Sequence, residues 1–262
     1  MTRFNLLPAA LLALAASPAL AGETACWFEG GVVVVPAEVL GVSGDFILDT
    51  ATPHTLLAET QAQTAGYAET EPVGEVRLAG LALSGVQVAV ADLDMRTGAL
   101  PTPVAGVIGV DLLRNYVLDV RFAPCRVRLS LPADAGPFPG QTTLPLAWAG
   151  GLPVVEAAVS DGARTLKGLF APGVGADRAI RLSDSLAQAP GAARPKELYP
   201  YGVLAPRLGS LAFAGALAVD LPAGLMTLGE PGLAGQIGAP YLARYRLRFD
   251  FPGGRLLLAP NS

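Results

Sequence analysis

Reactive side chains are scarce in this chain. Among 262 residues there are two cysteines and one histidine, and only 15% of positions are charged. Cys26, Cys125 and His54 are too few to build a metal centre from sulfur and imidazole ligands, so no metal is expected. No cofactor is expected either: the sequence holds no phosphate-cradling glycine loop or dinucleotide fingerprint, and its glycines fall at β-turn positions. His54 sits beside Pro53 without a nucleophile-elbow motif, which leaves a Ser/His/Asp triad unsupported and reads as a polar loop residue. The formal net charge is −4, and no basic run or basic–aromatic stripe is present, which argues against nucleic-acid binding. Past the N-terminus every apolar run is broken by Gly, Pro or a charge, so no stable membrane insertion is expected.

Apolar residues are plentiful. At 52% hydrophobic, the chain can bury a large core, and global disorder is excluded. Its length suits two small domains or one larger β domain. The N-terminus reads as a leader: Arg3 gives a positive start, Leu6 to Leu14 is too short to span a bilayer, and Ala19-Leu20-Ala21 offers an A-x-A cleavage site. Residues 1–21 are therefore expected to be a signal peptide, cut after Ala21, and the mature protein to be periplasmic or secreted. An uncleaved membrane anchor is the alternative. In an exported protein Cys26 and Cys125 would form a disulfide, closing a loop of about 100 residues and contributing roughly 4–5 kcal/mol. The other reading is two buried free thiols.

Short strands follow, with turn signals between them. Val32–Val35, Pro36–Val42 and Phe46–Leu48 read as strands, with a turn at Ser43-Gly44, and Ala58–Ala65 as a short helix. Glu75 to Val90 reads as hairpins turning at Ala79-Gly80 and Ser84-Gly85; Asp92–Pro103 reads as a loop. Gly106-Val107-Ile108-Gly109 ends in a short amphipathic helix, and strands Leu118–Phe122 and Arg126–Leu131 close this half. Residues 132–140, centred on Gly136-Pro137-Phe138-Pro139-Gly140, read as a linker between units at 22–131 and 141–262.

The second unit repeats the first. Gly235–Tyr245 matches Gly106–Tyr116 without a gap, and Arg207–Gly215 matches Arg77–Gly85 with a one-residue slip. The stretch around which the chain is organised is Phe46-Ile47-Leu48-Asp49-Thr50-Ala51-Thr52-Pro53-His54-Thr55-Leu56. It places a carboxylate at the buried end of an apolar strand, where an unpartnered charge is costly.

This stretch resembles the Asp-Thr-Gly loop of aspartic proteases, in the retropepsin-like form. Gly106-Val107-Ile108-Gly109 with Asp111-Leu112 resembles the family's second hallmark, apolar-apolar-Gly before a short helix. With the internal repeat, the resemblance implies an all-β, two-lobed, pepsin-like fold in a monomer that is an internal pseudo-dimer. It assigns Asp49, Thr50 and Ala51 to the catalytic loop, and Thr52, His54, Gly109, Ala171, Gly173 and Gly238 to a peptide-binding cleft.

Three departures weaken catalysis. Ala51 stands where the family has Gly. Ala171 falls where the second lobe should supply its Asp, and a shared-proton pair needs two carboxylates. Gly66–Val73 is short for a flap hairpin. Two functions follow: a degenerate member binding extended peptide or a protein partner in the cleft, or an active endopeptidase using Asp49. A purely structural envelope role is a third. The expected mature form is testable: intact-mass analysis of exported protein should show a chain starting at Gly22 and two hydrogens fewer than the reduced form, whereas free thiols would refute the disulfide.

Overall fold

The computed structural model describes residues 21–187, 191–194, 207–226 and 232–261. Residues 1–20, which make up all but the last position of the expected leader, lie outside them. Strands in the first half are β1 (Ala21–Ala25), β2 (Trp27–Glu29), β3 (Val32–Val39), β4 (Val42–Leu48), β5 (Leu56–Ala58), β6 (Val73–Leu78), β7 (Leu81–Gln87), β8 (Ala89–Ala91), β9 (Gly106–Ile108), β10 (Val117–Phe122) and β11 (Cys125–Ser130). The second half holds β12 (Thr142–Pro145), β13 (Ala147–Ala149), β14 (Leu152–Ser160), β15 (Thr165–Gly173), β16 (Ile180–Ser183), β17 (Arg207–Phe213), β18 (Ala216–Met226), β19 (Leu233–Gly238), β20 (Tyr245–Asp250) and β21 (Arg255–Pro260). Helices are short: α1 (Glu59–Thr64), α2 (Asp94–Thr97), α3 (Val110–Leu113), α4 (Asp184–Ala187) and α5 (Ala239–Leu242).

Two lobes result. One is an eight-stranded sheet in which β3, β4, β9 and β5 lie side by side, with β2 paired to β3; the other is a seven-stranded sheet in which β14, β15, β19 and β16 take the same places. In each lobe an inner pair is parallel: β4 with β9, and β15 with β19. Pairing of β14 with β17 closes the second sheet on itself. The apolar strand runs of both lobes join in one core that includes Val33, Phe46, Leu48, Ile108, Phe170, Ile237 and Tyr241.

A third, six-stranded sheet in the order β1-β11-β10-β20-β21-β12 ties the lobes together. Its two halves are counterparts, meeting at the antiparallel β10–β20 pair. Extending the gapless match of Gly106–Tyr116 with Gly235–Tyr245 makes Asp119 the counterpart of Arg248, and these two residues face each other in the register. The pseudo-two-fold axis therefore passes between them. They form a two-pronged ion pair, Arg248 Nε to Asp119 Oδ1 at 2.6 Å and Nη2 to Oδ2 at 2.7 Å. Arg248 also donates to the carbonyls of Ala135 and Gly136, each at 2.8 Å, and lies over the Phe138 ring. The segment expected to be a linker is thereby held down on this sheet.

Cys26 and Cys125 form a disulfide, with Cα atoms 5.0 Å apart. No helix among the described residues is long and apolar enough to cross a membrane.

Several local readings shift. Val32–Val35 and Pro36–Val39 are one strand, and the turn into β4 is Leu40-Gly41 (φ 56° and 77°) rather than Ser43-Gly44, which lies within β4. Ser84-Gly85 lies inside β7 rather than at a turn. The counterpart of the Ala79-Gly80 turn is Ala214-Gly215, with matching positive φ (50° and 78°, 53° and 77°), so the sequence match of Arg207–Gly215 to Arg77–Gly85 was displaced by several residues. Two Ala-Gly or Ser-Gly pairs lie close together in the first lobe, and sequence alone picked the wrong one.

Removing Asp119 should leave Arg248, only 9% exposed, without its counter-charge. We expect Asp119→Ala to cost about 3 kcal/mol in chemical denaturation. Arg121→Ala, on the same strand, should cost well under about 1 kcal/mol. Equal small losses for both would show that the axial pair does not hold the lobes.

Candidate active-site cleft

Asp49 is delivered by β4, whose parallel partner β9 also fixes the loop: the Asp49 amide donates to the Ile108 carbonyl at 2.9 Å. Behind it, Thr55 latches the loop to the second hallmark. Its amide and hydroxyl donate to Asp111, each at 2.8 Å, and Gly109 donates to the hydroxyl at 3.1 Å. Gly109 is a close-approach position, since a Cβ there would lie 2.4 Å from the His54 carbonyl carbon.

The facing loop of the second lobe follows the same plan. Leu48 pairs with Ile108 in the first lobe and Pro172 with Ile237 in the second. The Thr52 amide donates to the Asp49 carbonyl and the Ala176 amide to the Gly173 carbonyl, both at 3.4 Å. Thr52 then accepts from Val110, and Ala176 from Ala239, at 2.9 and 3.0 Å. These matched bonds make Gly173, not Ala171, the counterpart of Asp49. The expected site residue moves by two positions: Ala171 is a buried residue inside β15, opposite Gln236. The second carboxylate is still absent, because its place holds a glycine.

The loops meet directly. The Thr50 hydroxyl donates to the Pro172 carbonyl at 2.5 Å and accepts from the Val174 amide at 3.3 Å. The Val33 amide donates to the Val174 carbonyl at 3.0 Å, and Gln236 Nε2 to the Ala51 carbonyl at 3.3 Å. A Cβ on Gly173 would lie 2.8 Å from the Ala51 methyl; on Gly175 it would lie 2.4 Å from Asp49 Cβ. Lobe two thus occupies the surface a second copy of lobe one would need.

The Asp49 carboxylate is 3% exposed and fully engaged. Oδ1 accepts from the amides of Ala51 at 2.9 Å and Gly175 at 3.2 Å, which are counterparts in the two loops. Oδ2 accepts from the Thr52 hydroxyl at 2.7 Å and from Arg96 Nη2 at 2.5 Å. Four donors fill the roughly four acceptor sites of a carboxylate. Arg96 also donates to Thr52 Oγ1 at 3.0 Å and to the Gly175 carbonyl at 3.4 Å. It comes from α2, inside the stretch expected to be plain loop. Leu93, buried against Val32, Val34, Ile47 and Val107, anchors that helix three residues earlier and turns Arg96 inward.

A cleft of about 690 Å³ opens over this pair, lined in part by Asp49, Ala51, Thr52, His54, Met95 and Trp148. Thr50, Gly109, Gly173 and Gly238 support it from behind; Ala171 does not reach it. His54 is exposed and makes no hydrogen bond to a serine or acid among the described residues. The 70–72 segment runs along β8, with Pro72 and Thr70 accepting from Val88 and Val90, so no flap hairpin rises there. Arg96, Gly175 and Gln236 were not read from the sequence as site residues. Gln236 lies inside the repeated Gly-x-x-Gly stretch, which was its one available signal.

No family model matches the sequence, and no curated protein matches it. Among solved structures, an aspartic proteinase from Irpex lacteus aligns with a TM-score of 0.57 at 15% identity, covering 92% of this chain and 98% of that one. The fold is pepsin-like. At that identity the likeness is one of fold.

Thr50 is the sharpest test of the loop contact. Thr50→Val would leave the Pro172 carbonyl and the Val174 amide unpaired in the core. We expect a loss of about 2–4 kcal/mol, while Thr50→Ser, which keeps the hydroxyl, should lose less than half as much. Equal losses would attribute the effect to packing alone.

Proposed function

We propose that this is an exported protein of the aspartic-protease family that has lost most or all peptidase activity and binds an extended peptide or a segment of a partner protein in the inter-lobe cleft. The supporting observation is the state of Asp49. Peptide hydrolysis by this fold needs one carboxylate to take a proton from water while a second, neutral carboxyl donates to the carbonyl oxygen. Gly173 offers no side chain for the second role. Arg96 and three other donors occupy the acceptor sites that an attacking water would use on the first. A guanidinium–carboxylate pair can hold a backbone-lined groove in shape, but it cannot pass a proton between two acids.

The cleft suits peptide in other respects. Its lining mixes Trp148, Met95 and Leu152 with the polar edges of Thr52, Gln236 and Asp111, a composition fit for side-chain pockets and main-chain hydrogen bonds. The disulfide is in keeping with an oxidising compartment, which supports export. The alternative, an active endopeptidase using Asp49, would require Arg96 to leave and an unidentified group to act as the acid.

The deciding experiment compares wild type with Asp49→Asn on a denatured protein substrate from mildly acid to neutral pH, with thermal melts of both. We expect little or no cleavage by either, and a lower melting temperature for the Asn variant because it loses charge-assisted hydrogen bonds. Robust wild-type cleavage that vanishes in Asp49→Asn, with coincident melts, would overturn this reading. A paired gain-of-function test is Gly173→Asp with Ala51→Gly, made together because the Ala51 methyl blocks a side chain at 173. Acid-side cleavage in the double variant and none in wild type would locate the lost activity at Gly173.

A further inference from the structure

The six-stranded sheet has a second, outward face. Leu118, Val120, Leu129, Leu247 and Phe249 are buried on its core side. Alternation along the strands sends Arg121, Arg126, Arg128, Arg246, Arg248 and Arg255 to the opposite side. The register bears this out: Arg121 faces Arg126, Asp119 faces both Arg128 and Arg248, and Asp250 faces Arg255. The acids on this face are Glu23, Asp119 and Asp250, so the face is positive on a chain whose formal net charge is −4.

Half of these arginines are committed elsewhere. Arg248 is held by Asp119, Arg255 by Asp250 at 2.5 Å, and Arg128 donates to the Asp134 carbonyl at 3.1 Å. The other three are under-used. Arg126 donates Nη1 to the Cys125 carbonyl at 3.0 Å and reaches Glu23, which also lines the pocket, only at 3.7 Å, so its Nη2 is left for another acceptor; both charged groups are about half exposed. Arg121 gives its Nε to the Ala123 carbonyl, which leaves its two terminal nitrogens free for another acceptor. Arg246 has no ion pair or side-chain hydrogen bond among the described residues. All three line one cavity of about 230 Å³, walled on one side by the 135–139 segment.

We propose that this pocket binds a phosphate-class oxyanion. Arg121 and Arg126 stand directly opposite each other on neighbouring strands, an arrangement that repels unless an anion lies between or beside them. The basic groups are arginines without a lysine among them, and planar guanidinium forks match oxyanions edge to edge. Three forks converging on one cavity exceed what a two-oxygen carboxylate can use, whereas a phosphate presents four oxygens and up to two charges. The pocket shares no lining residue with the cleft, so this inference is independent of the peptide-binding proposal.

The test uses the mature protein. Thermal melts and calorimetry in inorganic phosphate are compared with chloride at matched ionic strength. In parallel, co-sedimentation is measured with phosphatidylcholine vesicles containing phosphatidylglycerol. Arg246→Gln and Arg121→Gln lie outside the Asp119–Arg248 pair, so their melts in chloride should match or slightly exceed wild type. We expect a saturable rise in melting temperature with phosphate, weakened about tenfold or more by either substitution and partly kept by Arg246→Lys. Vesicle binding lost in Arg246→Gln, without a response to free phosphate, would identify the source as a lipid headgroup. If phosphate acts no differently from chloride and vesicles do not bind, the proposal fails. It also fails if wild type and both Gln variants respond alike.

Discussion

Everything at the centre of this molecule depends on two counterpart loops meeting at their backbones. Thr50 on one side, and Pro172 with Val174 on the other, bring the loops so close that, with the Ala51 methyl in place, position 173 has no room for a side chain. The first lobe carries Asp49. Gly173 has no side chain, and the Ala51 methyl lies in the volume that a Cβ at 173 would enter. The two departures from the expected family pattern, Ala for Gly at 51 and Gly for Asp at 173, are therefore sterically linked. Filling either position restricts the other, because packing at this density leaves no room for a second branch.

The electrostatics follow from the sterics. With no neighbouring carboxylate, Asp49 carries its charge into a buried site and needs a counter-ion. Arg96 provides it from a helix that is itself anchored by Leu93. The Gly175 amide, the counterpart of Ala51's, turns to the same carboxylate because its own loop has no acid to serve. Donors that two carboxylates would share in a symmetric arrangement are concentrated on one, and a cation takes the remaining acceptor position. Such a site is charge-balanced, with the acceptor positions of its carboxylate filled. Proton shuttling requires the opposite: two like-charged groups whose repulsion splits their titrations.

Much of this was legible in the sequence. The apolar strand running into Asp49, the Gly106–Gly109 stretch and its repeat at Gly235–Gly238 gave the two-lobed β architecture, and the cysteine count pointed to the bond that forms. The second lobe's loop was misplaced by two residues because it contains no acid to anchor the comparison. Its register is set by β15 pairing with β19, a contact between segments about 65 positions apart, as in Ala171 opposite Gln236. The Leu40-Gly41 turn escaped notice because a leucine in the left-handed region is unusual. Arg96 could not have been found locally. Its short helix has a polar sequence, and its partner is 47 residues away.

The same asymmetry recurs on the pseudo-two-fold axis. In a symmetric dimer, the residue on such an axis faces its own copy, so a charged residue there would meet a like charge. In this chain the axial counterparts are Asp119 and Arg248, and they form a two-pronged pair. That pairing is open only to a chain whose halves have diverged: two copies of lobe one would bring Asp119 against Asp119, and two copies of lobe two would bring Arg248 against Arg248. The ion pair at the axis and the Asp49–Gly173 asymmetry in the cleft act in the same direction. Both favour the joining of unlike lobes over self-association of either one, and both make the position of lobe two, rather than a second molecule, what completes the surroundings of Asp49.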